Sequence, residues 1–198
     1  MQIIRVPIMF RFVTATPFDL DTPLGQRRAI IRRNGDDVEM VEAGWGLRPG
    51  PSSDRPFTLV RAEGRAFPTH RCLVPASDFR LPGRGRAYSF SLADGNWFYL
   101  AGIWRPATAD WPESYAILTV AANEDVAAYH HRQMAVLTRA QRLNWLDAVV
   151  PEDELLRPMP VRSFRVRWEA GRTACASALG GPREFAALTG AETDFLRG

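Results

Sequence analysis

The sequence contains no lysine, only two cysteines, and no apolar run long enough to cross a bilayer. A membrane-spanning helix needs about 20 mostly apolar residues, whereas the apolar run at residues 3–10 is short and is interrupted by Arg5 and Pro7. No small-residue cleavage site of the kind that ends a signal peptide follows it. We therefore expect a cytoplasmic protein without a membrane segment.

The absence of lysine excludes Schiff-base chemistry on a lysine side chain and leaves arginine to supply all 25 basic side chains. A guanidinium is a planar fork that matches phosphate and carboxylate groups. A GC-rich genome is the simpler explanation for this bias, and the formal net charge is only +3. Cys72 and Cys175 allow one bridge at most, and their spacing fits no zinc pattern. We expect neither a metal nor a cofactor.

The first two-thirds of the chain are dominated by strand patterns. Residues 28–33 and 38–45 flank Asn34-Gly35, which is a strong hairpin signal. An alternating segment, 88–92, reaches a turn at Asp94-Gly95 and returns as 97–104. Residues 71–74 and 114–120 add two further short strands. Together these patterns predict a sheet of mixed or antiparallel strands.

Helix signals appear later in the chain. Asn123 is a suitable N-cap for a short helix through residues 126–129, and Thr138 for one over 139–146. Pro151 precedes a third short helix over 152–156, and a fourth is predicted over 182–188. The fold class is therefore α+β. We expect one domain over residues 1–170, with residues 171–198 as an extension packed on it.

Seven motifs follow one another along the middle of the chain. They are Trp45-Gly46-Leu47-Arg48-Pro49, Arg61-Ala62-Glu63, Arg71-Cys72-Leu73-Val74-Pro75-Ala76, Ala101-Gly102-Ile103-Trp104, Ile117-Leu118-Thr119 with Ala121-Ala122-Asn123, His130 with Arg132 and Ala135-Val136-Leu137-Thr138, and Trp145-Leu146. Their order and spacing resemble the SRAP (SOS response-associated peptidase-like) family over residues 23–147, with weaker similarity near 160–166. The resemblance implies a compact β-barrel-like fold with a few peripheral helices, acting as a monomer in the DNA damage response. It also implies a basic groove for single-stranded or abasic DNA.

Members of that family trap abasic sites with a cysteine that follows the initiator methionine. The α-amine, with a pKa of about 7.7–8.0, attacks the sugar aldehyde, and the thiol then closes a stable ring. An asparagine, a glutamate and a histidine position the sugar and move protons. The corresponding positions here are Gln2, Leu59, Leu81 and His130. A leucine side chain neither donates nor accepts a proton, so the resemblance implies a member degenerate for cysteine crosslinking.

The resemblance places four residues at the DNA groove: Arg61, Arg132, Arg48 and Trp45. Arg61 is expected to contact a phosphate, the alternative being an ion pair with Glu63. Arg132 is either a phosphate contact or a buried scaffold ion. Trp45 is expected in the core, with base stacking as its alternative, and His130 is either a catalytic remnant or a structural histidine.

Three functions are consistent with these residues. The leading hypothesis is a module that binds single-stranded or damaged DNA without forming a cysteine crosslink. The first alternative is an abasic-site lyase acting through the Met1 α-amine. The second is a protein-interaction scaffold without catalysis. We discount Asp78 as a substitute acid for Leu81, because residues three apart on a strand face opposite sides.

Overall fold

The computed structural model describes residues 13–50, 53–82 and 86–170 of the chain. Within these residues the strands are β1 (Thr16–Asp19), β2 (Arg27–Asn34), β3 (Asp37–Trp45), β4 (Leu59–Arg61), β5 (Arg71–Pro82), β6 (Arg86–Leu92), β7 (Phe98–Arg105), β8 (Ser114–Ala121), β9 (Arg132–Met134), β10 (Val136–Leu137) and β11 (Phe164–Ala170). The helices are α1 (Glu124–Ala127), α2 (Arg142–Leu146) and α3 (Glu152–Leu155).

All of these strands belong to one mixed sheet. The main path runs β10-β7-β8-β3-β2-β5-β6-β11, and a further pairing between β7 and β5 closes a circuit of five strands, β7-β8-β3-β2-β5. Most pairs are antiparallel, while β1–β5, β3–β8 and β4–β8 are parallel. The predicted mixed sheet with a few short helices is confirmed.

The first predicted hairpin is present with its full register, from Arg27 opposite Gly44 to Asn34 opposite Asp37. Gly35 has a φ of 59°, a conformation that glycine adopts without strain. The turn at Asp94-Gly95 also forms, but the strands on its two sides do not pair with each other. Both pair with the long strand β5, β7 along its first half and β6 along its last four residues.

The core consists of two clusters on opposite faces of the central strands. Side chains of a strand alternate between faces, so on β8 Leu118 belongs to the first cluster and Ile117 to the second. Trp145 of α2 and Leu155 of α3 cover the first cluster. The second cluster includes residues of β5, β6 and β11, among them Phe79 and Phe90, whose ring centroids lie 5.1 Å apart.

The helices are shorter than the patterns predict. Asn123 caps α1 as predicted, its Oδ1 accepting a hydrogen bond from the Val126 amide at 3.2 Å. Helix α2 begins at Arg142, because Gln141 turns its side chain back to accept hydrogen bonds from the backbone amide and hydroxyl of Thr138. The predicted helix over 182–188 and the extension over 171–198 lie outside the described residues. Among the described ones, no helix has the length and hydropathy that crossing a membrane requires.

Candidate functional site

The candidate site forms where β4 and β9 flank the end of β8. Arg61 on β4 is level with Thr119 on β8, and Thr119 is level with Met134 on β9. Residues paired across neighbouring strands project to the same face, and so do residues two apart on one strand. The side chains of Arg61, Thr119 and Arg132 therefore share one face of the sheet.

Arg132 is buried and fully engaged at the centre of this face. Its two terminal nitrogens donate to the Glu63 carboxylate at 2.8 and 2.7 Å, a bidentate pair. The same guanidinium donates to the carbonyl oxygen of Thr119 at 2.5 Å and to its hydroxyl at 3.1 Å. Only 4% of the Arg132 side chain is exposed. Of the two interpretations of Arg132, the geometry favours the buried scaffold ion.

Glu63 is correspondingly saturated. Besides Arg132, its carboxylate accepts a hydrogen bond from the Ala121 amide at 2.8 Å. Burial alone would raise the pKa of the Glu63 carboxyl, but the hydrogen bonds from Arg132 and Ala121 outweigh it and leave the pKa below its usual value. The carboxylate is thus held in its charged form as the partner of Arg132.

Arg61 is left exposed by this arrangement. Among the described residues it forms no ion pair, since Glu63 lies beyond the end of β4 and is occupied by Arg132. The alternative in which Arg61 pairs with Glu63 is therefore not what the structure shows. An exposed guanidinium beside a rigid, charge-neutral pair is suited to an external anion such as phosphate.

His130 is attached to the same cluster through the backbone. Its Nδ1 lies 2.8 Å from the carbonyl oxygen of Arg132 and 3.1 Å from the Arg132 amide nitrogen, and its ring stacks on His131 at 4.6 Å. Burial lowers the pKa of His130, the backbone hydrogen bond opposes this in part, and the charges of His131 and Arg132 lower it further. His130 is therefore neutral at physiological pH.

This arrangement predicts a pH effect on stability. The folded protein binds a proton on His130 less readily than the unfolded chain does, so its stability should be complete above about pH 6.5 and decline as the pH falls towards the lowered pKa. His70, whose pKa is also lowered by burial and by Arg105 and Arg32, acts in the same direction. Thermal unfolding between pH 7.5 and 5 should show a weaker decline for His130→Gln than for the wild-type protein. An equal decline in both proteins would contradict the conclusion that His130 contributes to the pH dependence of stability.

The two leucines that the resemblance aligns with the family's asparagine and glutamate belong to the second cluster or pack against it. Leu81 is 1% exposed and belongs to the second cluster, and Leu59 is half-buried against that same cluster. Asp78 lies on the other face of β5, where it accepts hydrogen bonds from the hydroxyls of Ser77 and Ser89 at 2.9 and 3.0 Å. This placement is consistent with the expectation that Asp78 does not substitute for an acid at position 81.

The other two residues expected at the groove, Trp45 and Arg48, do not contact Arg61, Glu63 or Arg132 in the hydrogen bonds, ion pairs and ring contacts of the described residues. Trp45 is 2% exposed and packs against Phe18 and Tyr115, whose ring centroids each lie 5.3 Å from that of Trp45. Trp45 is therefore a core residue, and its ring is not accessible for stacking on a base. Arg48 is exposed after β3 and forms an ion pair with the exposed Asp110 at 3.8 Å.

Sequence reasoning missed the role of Thr119. It is the one polar side chain in the otherwise apolar run 115–120, and an isolated polar residue in a buried strand is a signal for a specific partner. That partner is Arg132, which Thr119 meets with both its hydroxyl and its carbonyl oxygen.

Cysteine and metal chemistry find no support in the described part of the chain. Cys72 is fully buried, and burial raises the pKa of its thiol well above its usual value, so its thiolate does not form. No group of three or more His, Cys, Asp or Glu side chains able to hold a metal occurs among residues 13–50, 53–82 and 86–170. Met1, Gln2 and Cys175 lie outside these residues.

The fold and the site define a class: a mixed-sheet domain with short helices and an arginine–glutamate–histidine cluster at the end of its central strand. The sequence model of the family described as SOS response associated peptidase (SRAP) matches residues 19–169. The chain belongs to the SRAP family, which confirms the resemblance drawn from its motifs. The search of curated proteins found no significant match.

Two solved structures share the fold. A protein from Bordetella bronchiseptica is 22% identical, with a TM-score of 0.61 over 81% of this chain and 93% of the other. A protein from Bacteroides thetaiotaomicron is also 22% identical, with a TM-score of 0.57 over 72% of this chain and 73% of the other. At such identities the likeness concerns the fold alone.

Proposed function

We propose that this SRAP-family domain binds single-stranded DNA in the DNA damage response, without forming the cysteine crosslink of abasic-site-trapping members. The observation that carries the proposal is the exposed Arg61 beside the saturated Arg132–Glu63 pair. In this arrangement Arg61 contacts a phosphate, Arg132 holds the strands β8 and β9 in position, and Arg48 supplies a second exposed cation.

The leucine positions support the second half of the proposal. Leu59 and Leu81 replace the polar groups that would hold an abasic sugar and transfer protons, and both pack against one apolar cluster. His130 then acts as a structural histidine, fixed to the Arg132 backbone. We also infer that the closed circuit of five strands is the barrel-like core implied by the family resemblance.

Binding of an oligonucleotide should depend on salt. Each neutralised phosphate of a single strand contributes roughly 0.7 to the slope of log affinity against log salt, so phosphate contacts from Arg61 and Arg48 give a slope of about −1.4. Arg61→Ala should flatten that slope by about 0.7. Fluorescence anisotropy with a labelled oligonucleotide at several salt concentrations measures both values.

Arg33→Ala is the matched control, because Arg33 is already paired with Asp147 at 2.5 Å near the turn between β2 and β3. It should leave the slope unchanged. Binding without salt dependence, or an Arg61→Ala variant that unfolds before any effect on DNA appears, would overturn the proposal.

A further inference from the structure

Three aromatic side chains form a surface beside the candidate site. Leu81 on β5 is opposite Tyr88 on β6, and Tyr88 is opposite Trp168 on the outer strand β11. Directly opposed residues project to the same face, so Leu81, Tyr88 and Trp168 form a row that runs outwards from the core. Exposure rises along it, from 1% at Leu81 to 60% at Trp168.

Tyr129 closes the other side of this surface. It follows α1 and immediately precedes His130, and its ring lies 4.5 Å from that of Tyr88 and 5.8 Å from that of Phe90. Asp125 ties α1 to the start of β11 by accepting the backbone amides of Arg162 and Phe164 at 2.9 and 3.1 Å. Tyr129 is thereby held in place, yet it remains 41% exposed.

One cation belongs to this surface. The Arg86 guanidinium lies 4.7 Å from the centre of the Trp168 ring, whereas Arg165 and Arg167 alternate with Trp168 along β11 and project to the opposite face. Arg86 forms no ion pair with another side chain in the described part of the chain. Exposed apolar residues that form a contiguous patch commonly mark a binding site, and aromatic rings next to a guanidinium match a ligand with flat rings and negative charge.

We propose that Tyr88, Tyr129 and Trp168, with Arg86, form an aromatic platform on which an unpaired base of single-stranded nucleic acid stacks. This inference rests on the proposed DNA binding and adds a subsite to it. Stacking on aromatic rings is tolerant of sequence because every base has a π-face.

Two oligonucleotides with the same phosphates separate the platform from the arginines. One is an oligothymidylate, and the other is of equal length with every base replaced by a tetrahydrofuran abasic analogue. The wild-type protein should bind the base-bearing strand about 10-fold more tightly. Trp168→Ala should lower affinity for that strand to near the abasic value and leave the salt slope intact. Trp168→Phe, which keeps a ring, should retain most of the preference.

Trp97→Ala is the control, because Trp97 also has an arginine above its ring, Arg139 at 5.3 Å, but packs against the first cluster. It should keep the preference for bases. Equal binding of both strands with a normal salt slope would overturn the platform while leaving the proposed function standing. Binding of neither strand would overturn both, as expected if the platform docks a protein instead. Cooperative thermal unfolding of each variant establishes that it is folded.

Discussion

Replacing Leu81 by glutamate is expected to destabilise the protein by about 4 kcal/mol or more at neutral pH. Leu81 is almost completely buried among apolar side chains, and a carboxyl in such a place has its pKa raised by about 3 units or more, each worth about 1.4 kcal/mol. Since the folded state then binds the proton more tightly than the unfolded chain, the loss should shrink as the pH falls from 7 to 5. Urea unfolding at the two pH values measures this.

Leu81→Gln is the matched control, since a glutamine side chain has the same shape as glutamate but does not ionise. Its loss should be smaller and the same at both pH values. If the glutamate variant were as stable as the glutamine variant at pH 7, position 81 would open on water. The view that this position has become part of the core would then be wrong.

Replacing Glu63 by alanine is expected to cost about 3 kcal/mol. Arg132 would remain buried, with only the Thr119 oxygens as partners for its charge. Although Glu63 is half exposed, water does not replace it readily around Arg132, whose side chain is 4% exposed. Chemical denaturation of the purified variant measures the loss.

A second substitution tests the cause of that loss. Arg132→Met removes the charge, so adding it to Glu63→Ala should recover much of the stability, because a buried pair replaced by apolar groups is often neutral. A loss below about 1 kcal/mol for Glu63→Ala alone would instead be typical of a surface pair. The contacts of Arg132 with Glu63 would then contribute little to holding β8 and β9 together.

Local signals in the sequence predict local structure well. The Asn34-Gly35 turn between two alternating segments specifies the β2–β3 hairpin, and Asn123 marks the start of α1. The period of two along β5 also separates Asp78 from Leu81. Each of these depends on residues within a few positions of one another, where backbone geometry leaves few options.

Partner choice over long separations is not predictable in the same way. The turn at Asp94-Gly95 predicts that the strands on its two sides pair with each other, yet both pair with β5, whose twelve residues offer room for both. Glu63 pairs with Arg132, 69 positions away, and not with the nearby Arg61. Such pairings depend on the burial of whole faces, which short motifs do not encode.

The central claim is that this SRAP-family domain has kept DNA binding and lost covalent trapping. It is tested most directly with a labelled single-stranded oligonucleotide carrying one abasic site, at a protein concentration that saturates binding. Half of the sample is analysed by anisotropy and half by denaturing electrophoresis. We expect salt-sensitive binding in the first and no heat-resistant adduct in the second, since Leu59 and Leu81 supply no group for the chemistry. A near-stoichiometric adduct that survives denaturation would contradict the claim, as would the absence of binding.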